Sequence, residues 1–237
     1  PWWEWPLALA ARDKKALGAE RKRLKEETGY QVFVQYLFFR QWKALKEYAN
    51  TKGIAVIGDM PFYMARDSAD AWANTDILDK EGGMAGCPPD YFSKTGQFWG
   101  NPVYDWEALK EKGYDWWVRR ARHGAELFDY VRLDHFRGFE SYYSVPRGSE
   151  TAAAGKWIKG PEMGLFYRMK KSLKELPFIA EDLGYLTEPV FELLQKTGFP
   201  GLKVLQFAFD PGGDSIYLPH RYDKNCVVYT GTHDNDT

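Results

Sequence analysis

Gly53-Ile-Ala-Val-Ile-Gly58-Asp59 is a short, unbroken apolar run closed by Gly-Asp. A run of this length without polar alternation is how a strand covered on both faces of a parallel sheet reads. The pattern returns four times. It is seen in Tyr130-Val-Arg-Leu-Asp134-His135, in Pro177-Phe-Ile-Ala-Glu181-Asp182 and in the stretch from Gly201 to Phe209. The last case runs from Cys226 through Val-Val-Tyr-Thr-Gly-Thr to His233-Asp234. Helices fit between these strands. Residues 106–128 form one long amphipathic segment with Leu109, Trp116, Trp117 and Leu127 inward. Residues 161–176 put Leu165, Met169, Leu173 and Leu176 on one face. Residues 187–196 have Thr187 as N-cap and Gly198 at C′. Strand–helix–strand repetition predicts an α/β fold with a parallel sheet and right-handed crossovers.

Upstream, residues 12–27 (RDKKALGAERKRLKEE) read as an exposed helix, with Gly29 where a stop would fall. Residues 31–50 place Phe38, Trp42, Leu45 and Ala49 at helical spacing, which predicts a buried face. Val32 and Val34 are β-formers, so periodicity leaves the start of this helix open. Residues 79–105 break the rhythm: they are Gly/Pro-rich and far longer than an ordinary βα connection, a property of functional loops.

Composition narrows the classes. The chain has 237 residues, 44% hydrophobic and 27% charged, as in globular proteins. Lys+Arg number 32 against 33 Asp+Glu, which gives no electrostatic case for nucleic acid or a membrane surface. No apolar run approaches the ~20 residues of a membrane span. Cys87 and Cys226 are too few for a disulfide framework and fit a reducing, cytoplasmic setting. The opening Pro1-Trp2-Trp3-Glu4-Trp5-Pro6 does not read as a signal peptide. Aromatic residues reach 17%, and flat rings serve both cores and ring-shaped ligands.

Four strands end on acidic or polar clusters: Asp59, Asp134/His135, Glu181/Asp182 and His233/Asp234. In a β/α barrel such ends converge on the face where the chemistry occurs, whereas a doubly wound sheet gathers them mainly at its switch point. Glycoside chemistry needs two carboxyls, one ionised and one protonated. Arg132 shares strand parity with Asp134, so a cation faces that carboxylate. Glu181 is followed by Asp182, and mutual repulsion would keep a proton on one of them. Two other readings stand beside this one. Strand-end acids also cap helices and pair with arginines. Asp59, Asp134, His135, His233 and Asp234 could hold a metal, although no HxH or HExxH spacing is present and the neighbouring arginines repel cations.

The segments that carry a specific resemblance are GDMPFYMARDSADAW (58–72), GCPPDYFSKTGQFWGNPVY (86–104), RLDHFRGFE (132–140), IAEDLG (179–184) and GTHDN (231–235). In this order they resemble the conserved regions of the 4-α-glucanotransferases, the amylomaltase or disproportionating-enzyme family (glycoside hydrolase family 77). The resemblance covers nearly the whole chain. It implies a TIM-barrel catalytic domain over 1–237, incomplete here, with the five strands matching the family's third to seventh. It makes 79–105 a substrate-covering loop. It also implies Asp134 as nucleophile, Glu181 as acid/base and Asp234 as the carboxylate gripping sugar hydroxyls. Arg132 would position the nucleophile, Asp59 would support that arginine, and His233 would bond the sugar. Phe92, Gln97 and Trp99 would cover the acceptor, and His135 would have a supporting role. No cofactor and no metal are implied.

The implied activity is transfer of α-1,4-glucan segments between maltooligosaccharide donor and acceptor, by double displacement with retention. A starch-type hydrolase and an inactive truncated glucan-binding module are the alternatives. Two departures stand out. Cys87 replaces a small aliphatic residue, and a closed eight-stranded barrel needs ~250 residues by itself, so the chain reads as an internal fragment.

Overall fold

A computed structural model describes residues 1–89, 93–209 and 215–233. In chain order the helices and strands are α1 (Leu7–Ala10), α2 (Lys14–Arg23), α3 (Lys25–Thr51), β1 (Ile57–Met60), α4 (Ala69–Ala73), β2 (Met84–Cys87) and β3 (Gln97–Pro102). Then come α5 (Trp106–Glu111), α6 (Asp115–Leu127), β4 (Tyr130–Leu133), β5 (Ser141–Val145), β6 (Lys156–Lys159), α7 (Glu162–Leu173), β7 (Phe178–Ala180), α8 (Glu188–Thr197), β8 (Gly201–Val204) and β9 (Cys226–Tyr229). The contacts divide the chain into two compact units. Among the described residues, no helix is long and apolar enough to cross a membrane.

The second unit comprises residues 57–62, 109–143 and 156–237, and it holds all five expected strands. β1, β4 and β7 pair in parallel, with Asp59 beside Arg132 and Leu133 beside Ala180. The Ala180 N–H donates to the Pro200 carbonyl at 2.9 Å, which brings β8 alongside, and β8 pairs in parallel with β9. Helix α7 packs against both α6 and α8, and α6 lies on β1 and β4. Only one face of β1 and β4 is covered: Gly58, Met60, Val131 and Leu133 are buried, while Ile57 and Tyr130 are about half exposed. The run of apolar letters predicts cover on both sides. The second face instead borders an open cleft, described below.

Most of the buried aromatic residues lie in this unit's core. Phe62, Trp117, Phe139, Phe166 and Phe199 form a chain of edge-to-face contacts with centroids 4.8–5.4 Å apart. Close packing fixes Gly58 as well. A Cβ there would stand 2.0 Å from the Phe128 ring. Gly58→Ala is therefore expected to destabilise the fold by about 1–3 kcal/mol, read as a lower urea midpoint with unchanged slope.

The first unit comprises residues 1–56, 63–108 and 144–155. Its helices revise the expected boundaries. The expected single helix is α2, capped by Asp13 accepting from the Ala16 N–H, and α3 then runs straight through Gly29. Gly29 carries no positive φ, so the sequence signal of a stop lacked the left-handed geometry that makes one. None of the 27 residues of α3 is buried, and Phe38 and Leu45 are 47% and 58% exposed. Periodicity defines a stripe, but burial needs a second element against it.

Residues 79–105 are not a plain loop. β2 and β3 form an antiparallel hairpin within them, and the end of β5 pairs with β2 through Met84–Val145 and Ala85–Ser144. Gly96 (φ 71°) is required at its turn, since a Cβ would meet the Cys87 carbonyl at 2.4 Å. The expected 106–128 helix is broken at Gly113 and Tyr114, both with positive φ. Trp116 and Trp117 are buried as expected, and Leu109 precedes the break at 1% exposure. β5 and β6 have no counterpart in the sequence reading. Their pairing is long-range and their residues do not alternate.

Candidate active site

The second unit brings Asp59, Arg132, Asp134, His135 and Glu181 together, and the strand register explains how. Asp59 and Arg132 are side by side on β1 and β4, and Asp134 follows two residues after Arg132 on the same face. Arg132 Nη1 donates to Asp59 Oδ1 at 2.9 Å and Nη2 to Asp134 Oδ1 at 2.8 Å. Burial works against the guanidinium charge, yet Asp134, Asp59 and Glu181 outweigh it and raise the Arg132 pKa. This arginine bridges the two aspartates.

Glu181 follows β7 directly, one strand over from Asp134. Its Oε2 accepts from the His135 N–H at 2.8 Å and its Oε1 from the Leu183 N–H at 3.0 Å. His135 has a left-handed backbone (φ 51°), which turns its N–H toward the next strand end. Burial and then the negative charge of Asp134 push the Glu181 pKa up to about 8, against the two backbone donors and Arg132. The adjacent carboxyls thus have opposite surroundings: one accepts a single hydrogen bond from the Arg132 guanidinium, the other is desolvated and faces a like charge.

Two details revise the sequence reading. Asp182 is not the charge that acts on Glu181. It turns away, is 4% exposed, and its Oδ1 accepts from the Leu202 N–H at 2.6 Å, which fastens β7 to β8. Burial raises its own pKa. Gly201 makes room for it, since a Cβ there would lie 2.6 Å from Asp182 Oδ2. His135 contributes to the site through its backbone. Its imidazole is buried and held neutral, with a pKa lowered to about 4 by burial and by Arg137.

A cleft of about 350 Å³ opens beside these residues, lined by Asp59, Arg132, Leu183, Leu202, Tyr229 and His233. His233 is thereby placed with the arginine–aspartate pair. Gln97 and Trp99 belong to the first unit, on β3, where the Trp99 Nε1–H donates to Gln97 Oε1 at 3.1 Å and the Trp99 ring is 39% exposed. Phe92 and Asp234 lie outside the described residues. Tyr217 was not foreseen: burial and then Asp182 and Glu181 push its phenol up to about 12. It stands in a segment without periodicity, so no local signal marked it.

Comparison with known proteins follows the same line. The sequence model of a family described as 4-alpha-glucanotransferase matches residues 1–237. A 4-alpha-glucanotransferase of Clostridium butyricum is 54% identical over all of this chain and 50% of its own length. One of Thermus thermophilus is 50% identical over all of this chain and 49% of its own. The structure of amylomaltase from Streptococcus agalactiae in complex with acarbose superposes with a TM-score of 0.94 at 44% identity, covering 99% of this chain and 49% of that one. Amylomaltase from Corynebacterium glutamicum, at 24% identity and a TM-score of 0.79, shares the fold. The chain spans about half the length of the curated relatives it matches.

Proposed function

Because the chain belongs to the 4-alpha-glucanotransferase family, we propose that its second unit supplies the reacting groups for transfer of α-1,4-glucan segments between maltooligosaccharides. The observation that carries this reading is the pair at neighbouring strand ends: Asp134 bonded to Arg132, and Glu181 with a pKa near 8. In the proposed reaction the Asp134 carboxylate attacks the anomeric carbon while Glu181 gives its proton to the glycosidic oxygen. The C–O bond breaks, and the released glucan leaves with a free 4-hydroxyl. Glu181, now ionised, takes the proton from the 4-hydroxyl of an incoming glucan. That oxygen displaces Asp134, so two inversions give retention. Arg132 aims Asp134 through its hydrogen bond, with Asp59 holding the arginine's other terminal nitrogen.

The five parallel strands are, in this reading, the third to seventh of an eight-stranded barrel, and residues 79–105 are its substrate loop. His233 and Asp234 would grip sugar hydroxyls, and Phe92, Gln97 and Trp99 would cover the acceptor side. The S. agalactiae amylomaltase bound to acarbose supports a maltooligosaccharide-like ligand. Covering the glycosyl intermediate with aromatic rings is the physical means by which sugar outcompetes water as acceptor.

Incubation of the full chain with maltotriose tests the proposal. The expected result is a ladder of longer glucans accompanied by glucose. Maltose and glucose alone, with nothing longer, would show water as the acceptor and overturn the transfer reading.

A further inference from the structure

The RLDHFRGFE motif contains an arginine that the proposed reaction leaves unused. Arg137 is 6% exposed, among the few charged side chains buried in this chain. Its Nη1 donates to the Tyr185 carbonyl at 2.5 Å and its Nη2 to Ser141 Oγ at 3.1 Å. Ser141 Oγ in turn donates to Glu140 Oε2, and Glu140 is ion-paired with Lys159. The guanidinium stacks on Trp157, 3.8 Å from the ring centroid, and lies 5.7 Å from the Tyr185 ring. Trp157 is braced from another side by Tyr143, edge-on at 5.2 Å.

This arrangement is costly if it serves packing alone. The buried charge stacks on one aromatic ring and ties down the backbone that carries a second, and both rings remain in solvent: Trp157 is 39% exposed and Tyr185 is 68% exposed. Rings held rigid yet left wet suit a ligand with apolar faces and a polar rim. A glucose residue fits that description, since its C–H faces stack on flat rings and its hydroxyls stay hydrated. Rigidity matters because a platform that is already ordered loses little entropy when the sugar binds.

Chain position keeps Tyr185 close to the acid/base group. Tyr185 lies four residues after Glu181 on the same loop, and four extended residues reach at most ~14 Å. The intervening Leu183 N–H is bonded to Glu181 itself. In double displacement the acid/base group stands on the leaving-group side of the scissile bond, the side on which the released and the incoming glucan lie.

We propose that Tyr185 and Trp157, locked by Arg137, form a further saccharide subsite that stacks a glucose residue on the acceptor side of Glu181. It rests on the glucan reading above and adds a subsite that gives preference for longer chains.

Calorimetric titration of the full chain with maltose and with maltoheptaose tests it. Tyr185 is exposed, so its replacement leaves the core intact. Tyr185→Ala is expected to weaken maltoheptaose about tenfold and to shrink its advantage over maltose by the same factor. Tyr185→Phe, which keeps the flat ring, is expected to restore wild-type affinity, and Tyr185→Leu, which keeps bulk without it, is not. Unchanged maltoheptaose affinity in Tyr185→Ala would overturn the subsite while leaving the glucan reading in place. If the unmodified chain binds neither sugar, both fall together.

Discussion

Asp134→Asn is expected to lower the rate of maltotriose disproportionation on the order of 10⁵-fold, the scale of losing a nucleophile whose partners are intact. The amide oxygen still accepts from Arg132 Nη2, so the side chain keeps its place between Arg132 and the end of β7. What disappears is the carboxylate that forms the bond to carbon. The loss should therefore appear in turnover, with the thermal midpoint within a few degrees of the parent. Rapid quenching and intact-mass measurement give the direct readout: a glycosylated chain in the parent and none in the variant. Residual activity within a factor of ten would remove Asp134 from the proposed role.

Glu181→Gln is expected to cost about 10³-fold on maltotriose, within the range of general acid catalysis. The loss should be much smaller in the first step with α-maltosyl fluoride, because fluoride departs without a proton. An equal loss on both substrates would mean that Glu181 is not the proton donor. The pH dependence has a definite sign. With its pKa raised to about 8, Glu181 is protonated through neutral pH, so the first step should slow as pH rises past 8.

Stability carries the same signature without needing turnover. Between the ordinary value of 4.5 and about 8 the unfolded chain releases the Glu181 proton while the folded chain retains it. Folding then loses stability with rising pH in that window and levels off above it. Gln has no proton to lose there. The thermal midpoint of Glu181→Gln should accordingly gain on the parent from pH 5 to 8. A constant gap across that range would contradict the burial argument.

Much of this site is readable from local letters. Strand parity put Arg132 and Asp134 on one face, and the ion pair lies where parity placed it. Asp182 shows the limit of the same reasoning. Adjacent acids suggest mutual repulsion, but alternate residues of a strand face opposite ways, so Asp182 was free to turn into the core and hold β8. His135 presents a related case: its identity drew attention to the imidazole, while its contribution is a backbone N–H aimed by a left-handed φ.

By itself the sequence determined where the five strands fall along the chain, most of the helical segments between them and the types of side chain at the strand ends. These are properties of short windows, set by apolar runs, parity and turn residues. The tertiary structure decided which strand lies beside which, that Asp134 rather than Asp182 is the charge acting on Glu181, and that residues 79–105 hold a hairpin. The physical reason is common to all three. Pairing, desolvation and burial are energies of contact between segments distant in the chain, and no window of neighbouring residues contains the partner.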